Sequence, residues 1–272
     1  MRRSFCWLIV PLLVVTRAWA SLDAERVNDG RLVIISDQFA FSYASNPVLG
    51  PSEETLFFVV ESMDYEAGTS RFQIMRQVLA DGSVTELTDG DHDSWQPVLS
   101  NDGRSLFFLS NREGGITQLW KKPLNDDGRA VQITDLEAGV DDINFSSDQT
   151  RLLLVQKDKQ TSPPLVQGSQ PWVIDRLSFK RDYEGYVTHQ YDHIYVYDLR
   201  TQNLQQLTFG DYDDSEPTWS PDDRQVAFVS NRNADGTYDT DIWITNVDEA
   251  GEPTKLTKNR GADSSPQWHP DG

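Results

Sequence analysis

Glu216-Pro217-Thr218-Trp219-Ser220-Pro221-Asp222-Asp223, running on through Gln225-Val226-Ala227-Phe228-Val229 to Ser230-Asn231-Arg232, is the stretch that decides the fold. Proline holds φ near −65°, which suits the first central position of a turn, and aspartate can bond its own backbone. Ser220–Asp223 therefore reads as a turn between two short strands. Leu207-Thr208-Phe209-Gly210 precedes this unit, and the same order recurs along the chain. Leu87-Thr88-Asp89-Gly90 leads into Trp95-Gln96-Pro97-Val98-Leu99-Ser100-Asn101-Asp102-Gly103, then the apolar run Ser105–Leu109 and Ser110-Asn111-Arg112. A degenerate copy starts at Ile133-Thr134 and runs through Asn144-Phe145-Ser146-Ser147-Asp148. Another starts at Leu256-Thr257 and reaches Pro266-Gln267-Trp268-His269-Pro270-Asp271-Gly272. The Leu/Ile-Thr markers lie 46, 74 and 49 residues apart, so the middle interval carries an extra segment, placed roughly at 159–189.

Within the best copy the predicted strands are Pro217–Ser220, Gln225–Ser230, Asp241–Asn246 and Thr254–Thr257. In the third of these Ile242-Trp243-Ile244 alternates faces, as do Leu119-Trp120 and Ile194-Tyr195-Val196-Tyr197 in other copies. Such strands cannot bury themselves alone. A repeat of this size with four strands is one blade of a β-propeller, whose sheets cover each other's faces. The fold class is therefore all-β, a propeller of four-stranded antiparallel blades. Residues 41–87, with Glu54–Val60 as second strand, make the first blade, and copies ending near Ile133, Leu207 and Leu256 make three more. A fifth begins and reaches Gly272 after its first strand and turn. The expectation is a partial propeller over 21–272, a fragment of a longer protein. Ring closure by residues 28–40, with Leu32-Val33-Ile34-Ile35, would give an unusually small ring.

The chain has 272 residues, 38% hydrophobic and 11% aromatic with eight Trp, so it can bury a core and disorder of the whole is excluded. Net charge is −19, which repels phosphate backbones and anionic headgroups and argues against nucleic acid as a partner. Arg2 and Arg3, the apolar run Phe5–Val15 and Ala18-Trp19-Ala20 read as a secretory signal peptide cleaved after Ala20. The apolar run has 11 residues, short of the ~20 that cross a bilayer, so no stable membrane anchor is expected. Arg2-Arg3-Ser4-Phe5 partly resembles a twin-arginine signal, while the strongly apolar stretch favours the general secretory route. Cleavage would take net charge to −22 and remove Cys6, the one cysteine, leaving an exported chain, periplasmic or secreted, that packs without disulfides.

The string Pro-x-Trp-Ser-Pro-Asp, an apolar strand, Ser-Asn-Arg and Asp-Ile-Trp before the next Leu-Thr resembles the WD40-like repeat of TolB-type periplasmic propellers. Pro171-Trp172-Val173-Ile174-Asp175-Arg176-Leu177-Ser178-Phe179-Lys180-Arg181-Asp182-Tyr183-Glu184-Gly185-Tyr186 is more discriminating. Followed by His193–Leu199, Gln206-Leu207-Thr208 and Gly210–Pro217, it resembles the N-terminal propeller of the prolyl oligopeptidase family of serine peptidases. The likeness is to the acylaminoacyl-peptidase and dipeptidyl-peptidase-5 branch, and it is strongest from Pro171 to Gly272. It implies a propeller of seven or so blades capping a C-terminal α/β-hydrolase domain with a Ser-Asp-His triad, acting on peptides through an acyl-enzyme. This sequence holds no Gly-x-Ser-x-Gly, so the nucleophile elbow is absent and no catalytic residue is assigned. The implied role is to filter and orient peptides. The expected partners are peptide substrates, a C-terminal hydrolase domain and, through an unpaired blade edge, another copy of the chain. The reading from another class is a non-enzymatic, TolB-like scaffold that binds proteins in the periplasm.

Four residues of the extra segment, Arg176, Lys180, Glu184 and Tyr186, are the candidates for substrate entry or domain contact, against a longer hairpin that packs on its own blade. No cofactor and no metal are expected. His189 and His193 are too far apart along an extended chain to share one zinc, and His92, His189, His193 and His269 are expected to be exposed strand or loop residues. Asp89-Gly90-Asp91-His92-Asp93 lacks the glycine and glutamate that a calcium loop needs. The recurrence of acids at Asp211, Asp213 and Asp214 assigns them to connections between blades. Glu53-Glu54 invites comparison with the paired glutamates that hold a substrate amine in some dipeptidyl peptidases, but it occupies a turn position of the repeat and is read as a solvated turn. Ser110-Asn111-Arg112 and Ser230-Asn231-Arg232 are read as turn hydrogen-bonders.

Overall fold

The structure, a computed structural model, describes residues 35–64, 66, 68–125, 128–158, 180–181, 185–186, 190–232, 239–248, 251–258 and 260–272. The described residues fall into two compact units, one drawn from 1–112 with 122–129, the other from 113–121 with 130–272. The signal segment, its cleavage site at Ala20 and the run Leu32–Ile34 lie outside the described residues. Ile35–Ala40 is a 3-10 helix rather than part of a closing strand. Among the described residues no helix is long and apolar enough to cross a membrane.

Four sheets of four strands carry the fold. The first is β1 (Ser42–Leu49), β2 (Thr55–Asp64), β3 (Thr69–Val78) and β4 (Val84–Glu86), and the second is β5 (Ser94–Leu99), β6 (Ser105–Ser110), β7 (Gln118–Pro123) and β8 (Val131–Gln132). The third begins with β9 (Asp142–Phe145) and β10 (Arg151–Lys157). A two-stranded hairpin, β11 (Lys180–Arg181) and β12 (Gly185–Tyr186), follows in the chain before the sheet resumes with β13 (Asp192–Asp198) and β14 (Leu204–Gln206). The fourth is β15 (Asp214–Trp219), β16 (Gln225–Ser230), β17 (Asp241–Asn246) and β18 (Thr254–Lys255). Each sheet runs in chain order as a meander, with antiparallel neighbours, which makes each a propeller blade.

The Leu/Ile-Thr markers have a mechanical cause. In every blade the threonine hydroxyl accepts from a backbone N–H in the third strand: Thr88 from Ile74, Thr134 from Leu119, Thr208 from Ile194 and Thr257 from Ile242. The preceding residue donates its own N–H to the carbonyl of that same third-strand residue. The side chain thus replaces the ladder where the fourth strand ends, which is why β18 stops at Lys255 and not at Thr257. Thr208→Val removes the hydroxyl and strands the N–H of fully buried Ile194. A loss of about 1–3 kcal/mol is expected, read from the urea midpoint.

First strands carry a second repeated device. Asn46, Gln96, Glu216 and Ser265 each have φ between 49° and 55°, and each is followed by proline. In β1, β5 and β15 the pairing register slips across this residue, a β-bulge. Proline has no N–H, so skipping it in the ladder orphans no donor. The bulge also lets the strand start early: Asp214 and Ser215 pair with Ser230 and Val229 before the slip, so β15 begins at Asp214 instead of Pro217. The degenerate third copy lacks the proline, and β9 pairs without a slip.

The turns behave as their composition implies. Glu53, Gly103, Gln149 and Asp223 occupy the left-handed position of successive first turns. Asp222 accepts from Ser220 Oγ and Arg224 N, bonds that hold its carboxyl below its ordinary range. Glu53 is exposed in such a turn, its N–H bonded to Gly50. At Gly103 a Cβ would stand 2.7 Å from Pro51 Cγ, so the first two turns of the N-terminal unit touch.

Packing between the third and fourth blades is apolar. Leu153, Val155, Ile194 and Val196 of the third meet Trp219, Val226, Phe228, Trp243 and Val247 of the fourth. Trp219 Nε1 donates 3.1 Å to the carbonyl of Asn144 in β9. Trp268, at the matching place in the fifth copy, donates 3.2 Å to Thr218 in β15. The fifth copy, which forms no strand among the described residues 260–272, is therefore docked by the same bond that docks the fourth blade.

Candidate functional site

The extra segment leaves the third blade between its two central strands. Lys157 and Asp192 are direct partners across β10 and β13, so residues 158–191 exit and return at one point. That root is tied by Asp158 N to Tyr191 O at 2.8 Å and by Gln190 Nε2 to Asp158 O at 2.8 Å. Of the four candidates, Lys180 and Tyr186 are brought opposite each other across β11 and β12. Arg176 and Glu184, with His189, lie outside the described residues.

Directly beneath the root is a charged cluster that sequence reasoning missed. His193, expected to be exposed, is only 2% exposed, because β13 is an inner strand and its imidazole faces the first strand of the next blade. Its Nε2 stands 3.5 Å from Asp158 Oδ2 and its Nδ1 3.5 Å from Asp214 Oδ2, ion-pair separations rather than aligned hydrogen bonds. Asp214 is fully buried and takes a 2.8 Å bond from Arg232 Nη2. The Arg232 guanidinium lies over the rings of Tyr212, Phe228 and Trp243 at 4.5–5.1 Å, and its Nε donates to Ser230 Oγ. Burial opposes charge on both partners and is outweighed on both. The carboxylates of Asp214, Asp158 and Asp192 raise the His193 pKa above its ordinary value, while His193, Ser230 and Arg232 lower that of Asp214.

The neighbouring acids are structural connectors. Asp213 Oδ1 accepts from Asp192 N, and Asp93 Oδ1 from Phe72 N, each reaching back to the third strand of the preceding blade. Asn231 and Asn111 clamp these aspartates by exchanging two bonds with each. Chemically, the cluster can hold a proton and couple two blades. Both imidazole nitrogens face carboxylates, and the Ser230 hydroxyl is buried and engaged by Arg232, so no nucleophile is presented. Among the described residues no group of three or more His, Cys, Asp or Glu is placed to hold a metal ion. The signal available in the sequence was an Asp-Asp pair at 213–214 where the second blade has Asp93-Ser94. The same unit has a cleft of about 340 Å³ lined by Ile244, Lys255, Leu256 and Trp268 among others, on the outer side of the fourth blade.

Comparison with known proteins agrees with the propeller fold. Residues 169–270 match the family model described as the dipeptidyl peptidase IV N-terminal region. The chain is 26% identical over 235 residues to the uncharacterized peptidase YuxL of Bacillus subtilis (strain 168), a match covering 82% of this chain and 33% of that one. The acylaminoacyl peptidase of Pyrococcus horikoshii overlays with a TM-score of 0.59 at 19% identity, covering 82% of this chain and 33% of its own. A putative TolB from Agrobacterium tumefaciens overlays with a TM-score of 0.57 at 19% identity, covering 85% and 68%. The overlays show the propeller fold, and this chain spans a third of the curated relative. Over residues 169–270 the chain is similar to the N-terminal region of the dipeptidyl peptidase IV family.

Proposed function

We propose that this chain is the propeller portion of an exported serine peptidase, gating and orienting peptides for a hydrolase domain elsewhere in the same protein. The carrying observation is the family match over 169–270, which takes in the hairpin of the extra segment, the His193 root and the whole fourth blade. Similarity to a longer peptidase supports the same reading, since the match takes in 82% of this chain but only 33% of that relative. Export rests on the leader-like residues 1–20. In such a protein the chemistry is acyl transfer at a serine that this chain does not supply. Its own work is to limit what reaches that serine and in which direction.

A fluorophosphonate probe separates the parts. The complete gene product is expected to be labelled covalently and to hydrolyse short peptides, and residues 21–272 alone are expected to show neither property. The TolB-type overlay, which covers two thirds of that solved chain, supports a protein-binding scaffold as the second reading. Absence of labelling in the complete product, with retention of a protein partner, would favour it.

A further inference from the structure

His193 is the one buried histidine among the described residues, and charge meets it from each element packed around it. From the end of β10 comes Asp158, and from β15 comes Asp214 with Arg232 behind it. On its own strand stands Asp192, with Lys157 at 3.9 Å. The connection before β15 adds Asp213, bonded to Asp192 N, and the Tyr212 ring, edge-on at 6.5 Å. The repeats provide an internal control. The residue just before the threonine-latched position is Gln73 in the first blade, Gln118 in the second, His193 in the third and Asp241 in the fourth. A blade does not need imidazole there. It occurs in the blade whose inner strands are separated by residues 158–191.

We propose that His193 is a protonation-dependent clasp that ties both ends of the 158–191 excursion to β15 of the following blade. As imidazolium it presents an N–H to Asp158 on one side and to Asp214 on the other. When the proton leaves to solvent, one ring nitrogen turns a lone pair toward a carboxylate and that side of the clasp opens. Burial works against the charged form, and the surrounding carboxylates outweigh it, so the pKa in the closed state is raised above the ordinary 6.5. A raised folded-state pKa gives a contribution that is complete below the ordinary value and is lost as pH climbs through the folded one. The clasp is independent of the peptidase reading, because it concerns only how the excursion is held.

The test is amide hydrogen exchange on the full chain from pH 6 to 9, corrected for intrinsic rates. Protection of the Asp158 and Asp192 amides is expected to fall by up to about tenfold per pH unit between the ordinary and the closed-state pKa, the most that one linked proton allows. The Leu119 amide, latched by Thr134 in another blade, should not follow. H193Q, which installs the residue type of the first two blades, should flatten the dependence. A flat wild-type profile, or an H193Q profile with the wild-type slope, overturns the proposal. Should H193Q fail to fold, the ring titration of His193 by NMR decides: D158N must lower its midpoint, and an unchanged midpoint overturns the clasp equally.

Discussion

Replacing Asp214 by alanine is expected to destabilise the chain by about 3–5 kcal/mol, measured by urea unfolding at pH 7. The size follows from what is left behind. Asp214 is fully buried, and its removal leaves Arg232, with a side chain 7% exposed, and His193, 2% exposed, without their shared counter-charge. Neither side chain can reach water without opening the contact between the third and fourth blades. Asp213→Ala next door should cost far less, about 1 kcal/mol, because that carboxylate is half-buried and accepts hydrogen bonds from backbone and asparagine donors. The acid limb should change as well. The Asp214 pKa is held below 3.8, so its contribution is present above that value and lost as pH falls through the lowered one. Asp214→Ala should therefore lose less stability than the parent on acidification. Equal costs for the two alanine variants would mean that the cluster is not the buried anchor described above.

Phe228→Ala should cost a similar amount, about 3–5 kcal/mol, by a different route. Phe228 is fully buried on β16 in the cluster that joins Leu153, Val155, Ile194 and Val196 to Trp219, Val226 and Trp243. Truncation removes apolar contact and leaves a cavity that two sheets held by their own ladders cannot collapse to fill. Phe209→Ala is the matched control: that ring is 61% exposed, and its loss should change stability by no more than about 0.5 kcal/mol. Because Arg232 lies over the Phe228 ring and bonds Asp214, the double variant should cost less than the sum of the two.

Much of the architecture is legible in the sequence itself. Gln225–Ser230 and Asp241–Asn246 read as strands with the limits the structure gives them, because a run of alternating apolar residues bounded by turn chemistry has few other uses. The Leu/Ile-Thr markers are visible as a pattern, yet their cause, a hydroxyl completing the ladder of the third strand, depends on a pairing 14–15 residues away. The prolines of the first strands are likewise visible, but not the left-handed residue before each, which Ser265 adopts even with no second strand paired to it. The site was least legible. His193 reads as an exposed strand histidine because its environment comes from Asp158, just past the end of β10, and Asp214 on β15, 35 and 21 residues away. A lone histidine carries no trace of such neighbours until the register of β10, β13 and β15 is known.

The central claim is that this propeller serves a peptidase, and the most direct measurement is to sequence the source gene past the codon for Gly272. The account predicts an open frame of several hundred codons, with further copies of the Pro-x-Trp-Ser-Pro-Asp repeat, then Gly-x-Ser-x-Gly, then the later Asp and His of a triad. A stop codon at once, or after one or two further blades with no such serine, would contradict it and leave the binding scaffold as the function to pursue.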